Sequence, residues 1–353
     1  MHENTHGVLM ALLAAVLFGL NAPLSKLLLS ELSAPLMASL LYLGAGFGMF
    51  AIRMAQAAGK GVRREAGITK RELPYVAGMI LLDVAAPILL LIGLGKTASA
   101  NASLLNNFEI VATSLIALLV FHEHVGRRLW IAIGLITLSG LILSFEGADG
   151  LSFSSGSGFI LLACVAWGFE NNLTRMLSSK DPVEIVVIKG LGSGAISMAI
   201  ALLSGQAGAK LPHVLAALAL GFVSYGLSIY FYVVAQRELG AARTSAYYAA
   251  APFVGVLFSV MLFGQHFSAS FLAAVSVMLA GAYFAVSERH NHRHIHEAVT
   301  HEHRHHHGDG HHTHEHSHPV SGEHSHPHEH ERLTHAHGHA PDIHHAHSHP
   351  SDA

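Results

Sequence analysis

Phe18-Gly19-Leu20-Asn21-Ala22-Pro23-Leu24-Ser25-Lys26 and Trp167-Gly168-Phe169-Glu170-Asn171-Asn172-Leu173-Thr174-Arg175 are one sentence written twice. They align without a gap as aromatic, Gly, apolar, polar, two variable positions, Leu, hydroxyl, cation. The frame continues beyond them. Leu43-Gly44-Ala45-Gly46 answers Leu191-Gly192-Ser193-Gly194, and Leu73-Pro74 answers Leu211-Pro212. A repeat of this length is an architecture, not a chance motif.

Hydrophobic residues make up 51% of the chain and charged residues 12%. That average joins two unlike parts. Residues 1–288 are apolar runs with short connections. Residues 289–353 have no apolar run and are dominated by histidine. Of the 31 histidines, only His2, His6, His122, His124, His213 and His266 lie before the tail. The first part reads as a membrane domain, and the second cannot bury a core. The single Cys164 excludes a disulfide framework and a thiol metal site. The run over 7–29 has no basic flank before it and belongs to the repeat, so it reads as a span and not as a signal peptide.

A bilayer core asks for about 20 apolar residues in a helix. Windows over 7–29, 34–54, 73–95, 98–120, 127–145, 157–177, 182–204, 212–235, 244–264 and 268–287 meet this. The expected fold is an all-α membrane protein of ten transmembrane helices, as two inverted five-helix repeats with a disordered C-terminal tail. The expected boundaries are 1–146, 147–288 and 289–353. Gly44 with Gly48, and Gly190 with Gly194, sit at GxxxG spacing in corresponding helices. Tight packing within one protomer is the preferred reading, and a homodimer face is the alternative.

Basic residues set the orientation. With the N-terminus in the cytoplasm, Arg53, Lys60, Arg63, Arg64, Lys70, Arg71, Arg127, Arg128, Arg175, Lys180, Arg237, Arg243 and Arg289 all fall inside. Lys26, Lys96 and Lys210 fall outside. Both termini are then cytoplasmic. Five helices per repeat is odd, so the second repeat enters the bilayer inverted, the build of secondary transporters.

With Phe-Gly-x-Asn closing the first span and Trp-Gly closing the sixth, the chain resembles the EamA-type drug/metabolite transporter superfamily. The small-residue junctions Ala98-Ser99-Ala100-Asn101 and Gly240-Ala241-Ala242 fit it, as does Glu123 after the fourth span. The resemblance covers 7–288 and implies a multi-pass transporter in a bacterial inner membrane, surrounded by lipid and carrying a small solute. It departs from symmetry where Gln265-His266 answers Glu123 and Pro252 answers Glu109. It does not extend to the tail.

An ionisable side chain at mid-bilayer costs about 2.5–3.5 kcal/mol on insertion scales, so each invites a functional reading. Asp83 and Glu109 fall near helix centres. Glu170 and Lys189 fall at similar depth on adjacent helices, which fits a structural ion pair as well as a binding role. Glu109 has no cationic partner in sequence and would suit a proton-coupled carrier. Asn106 shares its helix face, three residues away. The expected substrate-binding set is Asn21, Asp83, Asn106, Glu109, Glu170, Asn171 and Lys189. Three carboxylates against one lysine favour a cationic or zwitterionic solute, or protons. No nucleophile elbow, P-loop or dinucleotide fingerprint is present, so no enzyme and no nucleic-acid partner is expected.

In the tail, His recurs at every second or third residue between Glu, Ser, Pro and Gly. His301-Glu302-His303-Arg304-His305 and His314-Glu315-His316-Ser317-His318 match HExxH. Gly and Pro deny the helix that a metalloprotease needs, so these read as a flexible metal-binding tract. The expected ligands for Ni, Zn or Co are His301, His303, His305, His306, His307, His311, His312, His314, His316 and His318. No cofactor is required otherwise. Two substrates compete: an amino-acid- or amine-like metabolite, and a metal ion such as Ni, Co or Zn collected by the tail. A membrane-anchored metal store or sensor without transport is the reading from another class.

Overall fold

The computed structural model describes residues 5–58, 67–121, 127–144, 154–177, 180–239, 247–264, 267–286, 291–296, 299–305, 324–330 and 333–338. Before residue 287 every described element is helical. Apolar runs of this length have no water to bond their backbone in lipid, so each bonds itself. The helices are α1 (Thr5–Gly19), α2 (Asn21–Leu28), α3 (Ala34–Ala58), α4 (Leu73–Lys96), α5 (Ser99–Leu105), α6 (Phe108–Phe121) and α7 (Arg127–Ser144). They continue as α8 (Ser155–Arg175), α9 (Pro182–Leu203), α10 (Leu211–Gly221), α11 (Ser228–Leu239), α12 (Ala251–Phe263) and α13 (Ala269–Val286). Among the described residues, six stretches are long and apolar enough to cross a membrane: Thr5–Leu28, Ala34–Gln56, Leu73–Lys96, Ser99–Val120, Pro182–Leu203 and Leu211–Ala235. Trp130–Ile142, Ala251–Phe263 and Ala269–Phe284 are shorter apolar helices.

Three runs that read as continuous helices are interrupted. The first breaks between α1 and α2, just ahead of Pro23, whose ring nitrogen cannot donate. The fourth breaks at Asn106-Asn107, between α5 and α6, where amide side chains compete with the backbone. The eighth passes through a π-helical turn, Phe222–Leu227, between α10 and α11. Pro87 interrupts α4 in another way, because it has no N–H to give the Asp83 carbonyl one turn back.

Packing joins the two halves of the chain throughout. α3 lies on α9, α4 on α8, α7 on α13, and α1 on α11 and α12. Small residues set how closely they approach. A Cβ on Gly190 would strike the backbone of Gly46, and one on Gly44 would strike the backbone of Leu218. The GxxxG glycines are thus spent on contacts within one chain. The core between the halves holds Met37, Leu41, Leu90, Leu91, Leu94, Leu104, Leu105, Ile136 and Ile160, all sealed from solvent. Phe47, Leu81, Leu119 and Leu203 face outward, as a lipid-facing surface requires.

Part of the tail lies within the described residues. Its described backbone forms four strands, β1 (Asn291–His296), β2 (Val299–His305), β3 (His324–His330) and β4 (Leu333–Gly338). β1 pairs antiparallel with β4, and β2 with β3. Histidine at every second residue has the period of a strand. An isolated two-stranded ribbon is marginal in water, so this pairing adds no core. The expected boundaries at 146/147 and 288/289 lie outside the described residues, as do Glu123 and Gln265-His266.

Candidate solute-binding site

The interruptions gather around one buried polar centre. α9 carries Lys189, two turns from its start. Its Nζ lies 2.9 Å from Glu170 Oε1 on α8 and 3.2 Å from Asp83 Oδ2 on α4. The contact to Asp83 is off the line of a hydrogen bond, so it is charge on charge. The other Asp83 oxygen accepts a hydrogen bond from the Tyr42 hydroxyl on α3, at 2.7 Å. Thr174, one turn beyond Glu170, donates to Glu170 Oε1. Asp83 and Glu170 are buried. Four helices thus converge on one ammonium held between two carboxylates. The equal-depth pairing of Glu170 with Lys189 is present, and Asp83 joins it.

Glu109 occupies a second, adjacent locus. The sequence reading sets it mid-helix; the break at Asn106-Asn107 instead sets it in the first turn of α6. The Glu109 and Ile110 N–H groups there bond the Asn106 and Asn107 carbonyls, both at 3.1 Å. Asn171 Nδ2 donates to Glu109 Oε1 at 2.6 Å and lies 3.2 Å from Thr113 Oγ1. Glu109 lies within electrostatic reach of Lys189 and Glu170. Asn172 Nδ2 donates to the Thr113 and Gly168 carbonyls, tying α8 to α6. Asn106 Oδ1 is buried and accepts no hydrogen bond within the chain.

Asn21 stands apart from these acids in a neutral cluster. It donates to the Tyr225 hydroxyl at 3.3 Å and accepts from Ser25 at 3.0 Å. The Tyr225 ring packs on Tyr42 at 5.2 Å between centroids and on Phe18 at 6.2 Å. Tyr42 therefore links the Asn21 cluster to Asp83. Sequence reasoning missed Tyr42, Tyr225 and Thr113. A tyrosine deep in an apolar run needs a partner for its hydroxyl, and that was the available signal.

The comparisons agree with this architecture. A family model, the EamA-like transporter family, matches residues 5–145 and again 154–287. The chain belongs to the EamA-like transporter family. The chain is also similar to an "Uncharacterized transporter" of Methanothermobacter thermautotrophicus, 28% identical over 292 residues, covering 78% of this chain and 85% of that protein. A solved crystal structure shares 18% identity at a TM-score of 0.59, over 79% of this chain and 95% of its own. That likeness speaks for the fold alone. An EamA-like chain is a multi-pass membrane transporter and not an enzyme.

The tail histidines stand outside both matched segments. His301, His303 and His305 lie on β2, where the register sets them opposite His328, His326 and His324. His306, His307, His311, His312, His314, His316 and His318 lie outside the described residues.

Proposed function

We propose that this EamA-like chain is a secondary transporter of two inverted five-helix repeats that exports a small amine- or amino-acid-like solute through the Lys189–Glu109 region. The double family match, the ten apolar windows and the cross-half packing support the inverted repeat. The distribution of Lys and Arg supports cytoplasmic termini, which puts Glu72 and Lys180 at the inner end and Glu31 and Lys210 at the outer end.

One observation carries the substrate class: the Lys189 ammonium sits between Asp83 and Glu170. The cradle is already built for an alkylammonium. A solute amine can compete with Lys189 for the same carboxylates, while Glu109 takes up or releases a proton. The donors at this centre are carboxylate, amide and phenol oxygens around a fixed cation. A divalent metal would meet that cation directly, and Ni or Zn favours imidazole or thiolate more than this set. The histidine tail favours the second reading, in which Ni, Co or Zn is the cargo.

The test is uptake into vesicles containing the full chain, driven by a pH gradient. A labelled amine or amino acid should be taken up, and Glu109→Gln should abolish this. Uptake of Ni, Co or Zn without any of an amine or amino-acid panel would overturn the reading in favour of metal cargo. Topology has its own check. Reporter fusions after Arg64 and after the tail should read inside, and one near Asp149 outside.

A further inference from the structure

Two ion pairs tie the halves of the chain together at opposite ends of α3. Glu31, in the turn before α3, lies 3.6 Å from Lys210, which caps the start of α10. Glu72, which caps the start of α4, lies 3.5 Å from Lys180, in the turn before α9. Each pair crosses between the halves.

These pairs occupy corresponding places in the repeated frame. Glu31 follows Phe18 by thirteen residues, and Lys180 follows Trp167 by thirteen. Glu72 immediately precedes Leu73-Pro74, and Lys210 immediately precedes Leu211-Pro212. Exchanging the two halves therefore carries Glu31–Lys210 onto Lys180–Glu72 with the charges reversed. The helix starts that follow are built alike. Ser33 accepts from the N–H of Leu36 at the start of α3, as Asp181 accepts from those of Val183 and Glu184 at the start of α9. The repeat has kept an opposite-charge contact at this joint on both sides while changing which half carries which sign.

We propose that Glu31–Lys210 and Lys180–Glu72 are the outer and inner latches of the transport cycle, made together in this closed arrangement and released one at a time. This rests on the inverted-repeat transporter reading above. Alternating access in such folds is a rocking of one half against the other, so a cross-half contact at either mouth must break for that mouth to open.

The two latches differ in burial. Side chains of the inner pair are 13% and 18% exposed, and those of the outer pair 77% and 44%. The inner Glu72 also accepts from the Thr69 N–H and hydroxyl, at 2.7 and 2.6 Å. Its partial burial pushes its carboxyl pKa up, but the bonds from Thr69 and the Lys180 charge outweigh this and hold it below the usual range. It is ionised at neutral pH, as a latch requires. Arg53–Glu184, at 3.4 Å, adds a second cross-half pair between α3 and α9, near the inner end. The outer end has His213 at 3.7 Å from Glu31 instead. The inner mouth is thus the more firmly tied.

The test reads sidedness, not transport. A single cysteine replaces Asn171 in a Cys164→Ser background of the full chain. A membrane-impermeant maleimide is then applied from one side of sealed, oriented vesicles. Glu72→Gln or Lys180→Gln should speed labelling from the inner side, and Lys210→Gln from the outer side. The outer increase should be about two- to five-fold, the factor an exposed ion pair contributes to an equilibrium. The inner increase should be larger. The charge-exchanged pairs, Glu72→Lys with Lys180→Glu and Glu31→Lys with Lys210→Glu, should return labelling toward the parent rate, which a merely unfolded variant would not do. Unchanged labelling in the neutralised variants, or equal increases from both sides, would overturn the latches. Labelling that follows the latches while the parent chain, with Asn171 intact, transports no amine would leave them standing and remove only the substrate reading.

Discussion

Asn21 and Glu170 hold the same place in the twice-written sentence, yet one is an amide and the other an acid. Both accept from a hydroxyl one turn further along, Ser25 for Asn21 and Thr174 for Glu170. Around Asn21 the partners are the phenols and rings of Tyr225, Tyr42 and Phe18. Around Glu170 they are Lys189, Asp83 and, through Asn171, Glu109. The frame also predicts where the counterparts of the charges fall. Lys189 answers Leu41, and Asp83 answers Gly221, where a Cβ would strike the Leu41 backbone. One cross-half joint packs closely, and its counterpart holds charge. The twice-written frame is shared, and three positions within it differ in charge.

The largest expected effect comes from removing the cation that the charged centre is built on. Lys189→Met strands two buried carboxylates, and losing one partner of a buried pair costs about 3–5 kcal/mol. Thermal unfolding of the purified protein should show a large drop, recovered in part when Asp83→Asn and Glu170→Gln are added. Equal stability of Lys189→Met and the parent would mean that Lys189 is not the hub.

Tyr42→Phe comes next. It removes a hydrogen bond to a charged oxygen, worth about 1.5–3 kcal/mol, and uncouples the two clusters. Tyr225→Phe removes only a neutral bond to Asn21 and should cost about 0.5–1.5 kcal/mol. Reversal of that order would break the contrast between a charged cluster and a neutral one.

Much of this fold is legible in the sequence. Apolar run lengths and the repeated sentence locate the helices, and the equal depth of Glu170 and Lys189 on adjacent helices announces their pairing. Asp83 joining them is not legible, since it depends on how α4 is rotated against α9. The helix breaks beside Asn21 and Glu109 are hidden because hydropathy stays high through them. Asn-Ala-Pro and Asn-Asn were the local signals. The glycines were legible as close-packing residues, but not as to partner: Gly190 meets Gly46, two residues from the Gly44 that GxxxG spacing singles out.

The smallest expected effect on the membrane domain is that of the tail. Deleting residues 290–353 should leave its unfolding temperature unchanged. The tail itself should bind several Ni or Zn ions by calorimetry. Protonated imidazole cannot ligate, so binding should be complete above an unperturbed His pKa of about 6.5 and fall away below it. Binding that is equal at mildly acid and neutral pH would exclude histidine as the main ligand.

The central claim is that solute chemistry resides at the charged centre of the helices, and pH-driven uptake of a labelled amine or amino acid into vesicles tests it most directly. Glu109→Gln keeps the shape and the hydrogen-bonding capacity toward Asn171 but loses the titrating proton, so it should abolish uptake at unchanged expression and folding. Deletion of residues 290–353 should retain it. Normal uptake by Glu109→Gln together with its loss on tail deletion would contradict the account.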